Sequence, residues 1–144
     1  MIVLDANVLI GFLDATDSHH AATKDLLERR FADGFGASVL TVAEALVHPT
    51  RTGRQDAALA SLVAIGVRMV SLEATDAAAL ARVRNTYRVR MPDAVALHAA
   101  LSTGSALATF DETLAAAAER AGVKIANQPS DQHILFADNV PYVK

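Results

Sequence analysis

The sequence predicts an α/β domain: a mostly parallel sheet of about four to five strands with helices on both faces. Short apolar runs, IVL at 2–4, VRMVSL at 67–72 and SALATF ending at Phe110, alternate with longer segments in which apolar residues recur at helical spacing. Gly34 and Gly36, Gly66 and Gly104 mark breaks between these segments. At 144 residues it is long enough to bury one sizeable core without staples. Strands alternating with helices place helices across both sheet faces, and in such sheets ligands gather beyond the carboxyl ends of the strands.

Residues 2–4 read as a buried strand feeding a helix from Asn7, with Asp5 and Asn7 available to cap its free amides. Helical spacing continues over 18–31, Gly34 and Gly36 break it, and a short segment ends near Leu40. Thr41-Val-Ala-Glu44 has the form of a capping box, opening a helix expected to stop before Pro49, with HPTRTGR as a loop. A helix over 55–65 leads through Gly66 to a strand at 67–72, and a helix at 75–87 follows. Pro92 suits the first turn of the next helix, which runs to about Ser102 and ends at Gly104. A strand at 106–110, a helix from Asp111 and a candidate last strand at 123–126 complete the pattern. One domain is expected over 1–144, its motifs lying in 1–126 and 127–144 forming a tail that packs on the surface or helps an interface.

Composition excludes several classes. Although 52% of residues are hydrophobic, charged residues interrupt every apolar run before the ~20 residues of a membrane span, so a soluble protein is expected. The N-terminus lacks the pattern of a signal peptide and there is no cysteine, which removes disulfides and thiolate zinc sites and makes the cytoplasm the expected compartment. A net charge of -3 gives no global basic field, yet Arg82, Arg84, Arg88 and Arg90 cluster, and Arg51 and Arg54 flank a short loop. Arg51, Arg54, Arg88 and Arg90 are the candidates for contact with an RNA backbone. No GxGxxG, GxxxxGK[ST] or GxSxG occurs, and the five histidines form no HExxH; His98, on the VALHAA segment, is expected to be a hydrogen-bonded helix residue. The apolar surplus points to a surface covered by a partner.

Four acids stand out. Asp5 directly follows the first strand and Asp111 follows SALATF, while Glu44 and Asp93 lie in the first turns of two helices. All four fall at one predicted edge of the sheet. Carboxylates converging to about 6 Å repel by ~3 kcal/mol per pair at an effective dielectric of about 20, so such a cluster demands compensation. Protonation is one form and a divalent cation another; carboxylate oxygens suit Mg²⁺ or Mn²⁺, which activate water for attack on a phosphodiester. Each acid also has a simpler reading: Asp5 as a cap, Glu44 as partner of Thr41, Asp93 as a first-turn acid, and Asp111, or Thr109 with Glu112, as capping groups. Capping alone does not require them to share an edge.

The series LDAN, TVAEAL, RMPDAVALHAAL and ATFD resembles the acidic motifs of PIN-domain ribonucleases over about residues 1–126, and the short length resembles the VapC toxins of bacterial VapBC toxin-antitoxin pairs. The resemblance implies a PIN-like three-layer α/β/α sandwich and a Mg²⁺- or Mn²⁺-dependent endoribonuclease acting on RNA. It makes Asp5 and Asp93 the core metal ligands, Glu44 and Asp111 further ligands directly or through water, and Asn7 and Thr109 the polar residues that orient the acids. It also implies a cognate VapB antitoxin that lays a segment along the toxin groove with a basic side chain in the pocket, and a tendency to dimerise. The fourth motif departs from many relatives, with Phe110 where they carry a polar residue. Two other readings compete: a binding module whose acidic pocket captures a basic partner segment, and a receiver-like phosphoacceptor domain, disfavoured because Asp56 lies in a helical run and Lys124 opens its strand.

Overall fold

The structure, a computed structural model, describes residues 1–127. Among them β1 (Ile2–Leu4), β2 (Phe35–Ser38), β3 (Val67–Val70) and β4 (Ala106–Ala108) form a parallel sheet in the order β3-β2-β1-β4. Ile2 stands opposite Phe35 on one side and Ala106 on the other. The helices are α1 (Ala6–Leu13), α2 (His20–Arg29), α3 (Val39–Arg51), α4 (Gln55–Ala64), α5 (Asp76–Tyr87), α6 (Met91–Thr103) and α7 (Glu112–Arg120), with a 3-10 turn at Phe31–Asp33.

Strand alternation divides the core in two. Ile2 and Leu4 pack with Leu26, Phe35, Val42 and Leu62 on the side of α1 to α4. Val3, pointing the other way, packs with Leu97, Leu107 and Leu114 on the side of α6 and α7. β1 is thus buried on both faces, as its uninterrupted apolar run requires, and the three-layer α/β/α sandwich is the architecture observed. Each fully buried Leu, Ile or Val stabilises the fold by roughly 1.5–3 kcal/mol, which fixes the strand that precedes Asp5.

α6 is apolar around most of its circumference, with Ala94 to Leu97, Ala99 and Ala100 all buried. It packs against β1, β2, β4, α3, α5 and α7, so its first turn reaches the sheet's carboxyl edge from a rigid position. Pro92 sits in that first turn, where a missing N–H costs nothing, and Gly104 ends the helix at φ 63°, a left-handed conformation suited to glycine.

Three sequence expectations are corrected. Ser38, not Thr41, caps α3: its hydroxyl accepts from the Leu40 N–H at 3.4 Å, whereas Thr41 lies inside the helix with its hydroxyl buried and unpartnered. The helix therefore begins at Val39, directly off β2, and the Thr41–Glu44 box does not form. It also runs through Pro49 to Arg51 instead of stopping, reducing the expected HPTRTGR loop to a turn. Proline removes a single helical hydrogen bond, and here it lies in the last turn. Nearby carbonyls are held by Thr50 Oγ1 on Leu46 at 2.7 Å and by the Arg54 N–H on Pro49 at 2.7 Å. Finally, 123–126 does not form a full strand; it touches the sheet at one parallel bridge between Leu107 and Ile125. The expected tail lies outside the described residues except for Asn127. Among the described residues no helix is long and apolar enough to cross a membrane.

Candidate functional site

The order β3-β2-β1-β4 means that the chain leaves β1 toward β2 and later returns to β1's other side as β4. The crevice beyond β1 and β4 is the switch point, where strand ends diverge and a ligand can enter. Asp5 stands at the end of β1, its N–H bonded to the Ala108 carbonyl of β4 at 3.0 Å. Its carboxylate bridges the crevice: Oδ1 accepts from the Ala6 N–H at 2.8 Å and Oδ2 accepts from Thr109 Oγ1 at 2.7 Å. The capping reading of Asp5 is therefore correct and incomplete, because one oxygen caps α1 while the other faces Thr109.

Thr109 is the hub of this corner. Its hydroxyl donates to Asp5 and accepts from the Asp111 N–H at 3.0 Å and from Asn7 Nδ2 at 3.5 Å. Asn7 Oδ1 accepts from the Phe110 N–H at 3.1 Å, so Asn7 holds the loop after β4 in place. A residue beyond the motifs completes the clamp: Asn127 Oδ1 accepts from the Thr109 N–H at 3.1 Å, and Asn127 Nδ2 donates to the Thr109 carbonyl at 2.9 Å. No local signal marks Asn127, which sequence reasoning assigned to the tail; only folding brings it back to the crevice.

Asp111, tied to the same corner through Thr109, caps α7 by accepting from the Thr113 and Leu114 N–H groups, and Asp93 comes in from the first turn of α6. Burial pushes the Asp5 carboxyl above its ordinary value, against the pull of its hydrogen bonds from Thr109 and Ala6, and the charges of Asp93 and Asp111 push it the same way. Burial likewise raises Asp93, with Asp111 adding to it and Arg90 opposing. Glu44 is on an exposed stretch of α3, yet desolvation and the charge of Asp93 raise it, while Arg90 lowers it. The structure thus brings Asp5, Asp93 and Asp111 within electrostatic reach of one another, with Glu44 joined through Asp93.

Among the described residues no three acidic or histidine side chains are gathered into a ready-made set of metal ligands. The donor chemistry nonetheless fits a hard divalent cation of the kind that keeps several waters and takes one or two carboxylates. Burial first, and neighbouring acid charge second, raise Asp5, Asp93 and Glu44, and a bound cation would relieve both.

Basic groups flank the acids unevenly. Arg90 Nε lies 3.7 Å from Asp93 Oδ2, and Arg90, Arg88 and Arg84 line one groove with Asn85 and Met91. Arg54 shares a small pocket with Glu44, His48 and Asp14. Arg51 is exposed in the last turn of α3 and lines neither of these. His98 is hydrogen-bonded at 3.0 Å to Asp76, as its place on a helix suggested.

Fold and site together define an α/β/α domain with an acid-lined crevice at its switch point. The PIN domain family model matches residues 2–120, and the chain belongs to that family. Similar solved structures include a toxin-antitoxin complex from Klebsiella pneumoniae, 20% identical over 81% of this chain and 91% of that one, with a TM-score of 0.67. VapC20 of Mycobacterium tuberculosis, a sarcin-ricin loop cleaving toxin, is 18% identical over 81% and 95%, with a TM-score of 0.60. VapBC2 of Rickettsia felis bound to a DNA fragment from its promoter is 13% identical over 78% and 89%, with a TM-score of 0.61. At such identities the likeness establishes the fold. Comparison with curated proteins gives no match.

Proposed function

We propose that this protein is a divalent-cation-dependent endoribonuclease and the toxin of a type II toxin-antitoxin pair. The observation that carries the reading is the gathering of Asp5, Asp93 and Asp111 at the sheet's switch point, where burial first and neighbouring acid charge second raise the Asp5 and Asp93 carboxyls, with Glu44 raised beside Asp93. Family membership and the toxin-antitoxin neighbours support it.

Asp5 and Asp93 would hold Mg²⁺ or Mn²⁺, with Glu44 and Asp111 acting directly or through water. A cation held there supplies positive charge to the phosphoryl oxygens and acidifies the attacking water. The protein's own part is positional. Thr109 fixes the Asp5 carboxylate, Asn7 and Asn127 fix Thr109, and α6 presents Asp93 from a buried helix. Glu44 and Asp111, less buried than Asp5 and Asp93, would take the water's proton as its oxygen bonds to phosphorus, while a bridging P–O bond breaks and the departing oxygen takes a proton from solvent. Arg88 and Arg90 on one flank and Arg54 on the other would contact the RNA backbone, with Arg51 further out.

A VapB-type antitoxin is the proposed partner. Arg90, 3.7 Å from Asp93, supports the reading that a partner's basic side chain would be received beside the same acid. This also favours the second reading, a catalytically weak module that only captures a basic segment. Exposed Val39, Leu40 and Val47 on α3 support a covered surface, consistent with a homodimer.

The test is cleavage of total RNA with Mg²⁺ or Mn²⁺ by wild type, Asp5→Ala and Asp93→Ala. Cation-dependent cutting reduced at least 100-fold in both variants is expected. Equal activity in all three would sink the assignment.

A further inference from the structure

One aromatic contact at the crevice has no part in the acid chemistry. His19, in the α1–α2 connection, lies flat on Phe110 with ring centroids 4.2 Å apart and planes 5° from parallel. By contrast, Phe31 and Phe35 meet edge to face at 64° and 6.4 Å. Phe110 sits between Thr109 and Asp111, so an aromatic plane is attached directly to the loop that carries the acid site. Its own ring packs against the core cluster of β1 and β2, and its N–H is held by Asn7.

His19 is fixed on its far side as well. Its N–H donates to Asp17 Oδ2 at 3.0 Å, its ring Nδ1 lies 3.7 Å from the same oxygen, and its carbonyl accepts from the Thr23 N–H at 2.9 Å. Even so, the side chain remains 46% exposed. One face of the imidazole is on Phe110 and its Nδ1 is toward Asp17, so its exposed area lies on the rest of the ring. The result is a partly exposed π-surface stacked on the loop that carries Thr109 and Asp111.

We propose that the His19–Phe110 pair is a stacking platform for an unpaired RNA base next to the scissile phosphate, with His19 acting as a positioning residue. The proposal rests on the ribonuclease reading and deepens it: a base stacked there favours single-stranded loops over duplex, because paired bases cannot present a free face. Stacking on one aromatic is worth roughly tenfold in affinity and is tolerant of sequence, since every base has a π-face.

The experiment measures binding of a labelled single-stranded oligoribonucleotide and of a blunt RNA duplex to the full chain with Ca²⁺ in place of Mg²⁺. It compares wild type, His19→Ala and His19→Phe, each with its thermal melt, and adds KM and kcat with Mg²⁺. His19→Ala should weaken single-strand binding and raise KM about tenfold with kcat little changed, leave duplex binding unchanged, and be rescued by His19→Phe. Single-strand binding by His19→Ala equal to wild type, or no single-strand binding by wild type, overturns the platform. So does loss in both variants that merely tracks a lowered melting temperature, because the stack is then only a loop anchor. The expected binding pattern without any cleavage by wild type upholds the platform while contradicting the ribonuclease reading; cleavage with an unchanged His19→Ala KM does the reverse.

Discussion

Asp93 pays for its position with proton affinity. Burial and the Asp111 charge raise its carboxyl above the ordinary value, so the folded chain binds this proton more tightly than the unfolded chain does. Ionising it therefore costs stability: nothing below the unfolded value, and the full amount above the folded one, so the cation-free protein loses stability as pH rises through that window. Asp93→Asn removes the cost. Without divalent cations it should melt above wild type near pH 7, the gap closing as pH falls toward the ordinary carboxylate value, as differential scanning calorimetry across pH would show. A gap of constant size at every pH would contradict this origin. The placements of Asp5, Asp93 and Asp111 were legible from sequence, because each follows a strand or opens a helix; Glu44 was expected in a first turn, but α3 begins at Val39 and puts it in the second. Their supports were less so. Thr109 and Asn7 lie within the motifs, but Asn127 is 18 residues from the threonine it clamps, and no spacing rule joins them.

Element boundaries depended on chemistry that short patterns do not resolve. The Thr41–Glu44 pair satisfies the letters of a capping box, yet Ser38 lies three residues earlier, at the end of β2, and takes the cap first. Pro49 ended the helix on paper because its cost was counted without the threonine hydroxyls and the Arg54 N–H that bond the neighbouring carbonyls. The end of α5 shows the opposite case. Arg88 occupies a left-handed conformation, φ 55°, where glycine is at home and an arginine is strained. That strain is tolerated where the side chain lines a groove beside Arg84 and Arg90. Arg88→Gly should accordingly keep the fold as stable as wild type or raise it by about 1 kcal/mol, while weakening RNA binding and lowering its salt dependence by about one counterion. Denaturant melts and binding at several salt concentrations test both halves; a less stable variant with unchanged RNA affinity would contradict the assignment.

The α/β alternation was legible because β1 is buried on both faces and reads as an apolar run, β3 carries two valines although it is partly exposed, and every crossover needs a helix. Sheet order was not, since β1's place beside β4 rests on pairings across a hundred residues. That pairing makes the site, for it sets Asp5 against Thr109 at the crevice where Asp93 and Asp111 arrive from α6 and α7. The central claim is that these acids form one cation site. It is tested most directly by titrating Mn²⁺ into the cation-free protein under electron paramagnetic resonance, for wild type, Asp5→Ala and Asp93→Ala. A shared site predicts saturable binding in wild type that weakens at least tenfold in either variant, because each removes a ligand the other cannot replace. Binding equally strong in all three, or none in wild type at millimolar Mn²⁺, would contradict it.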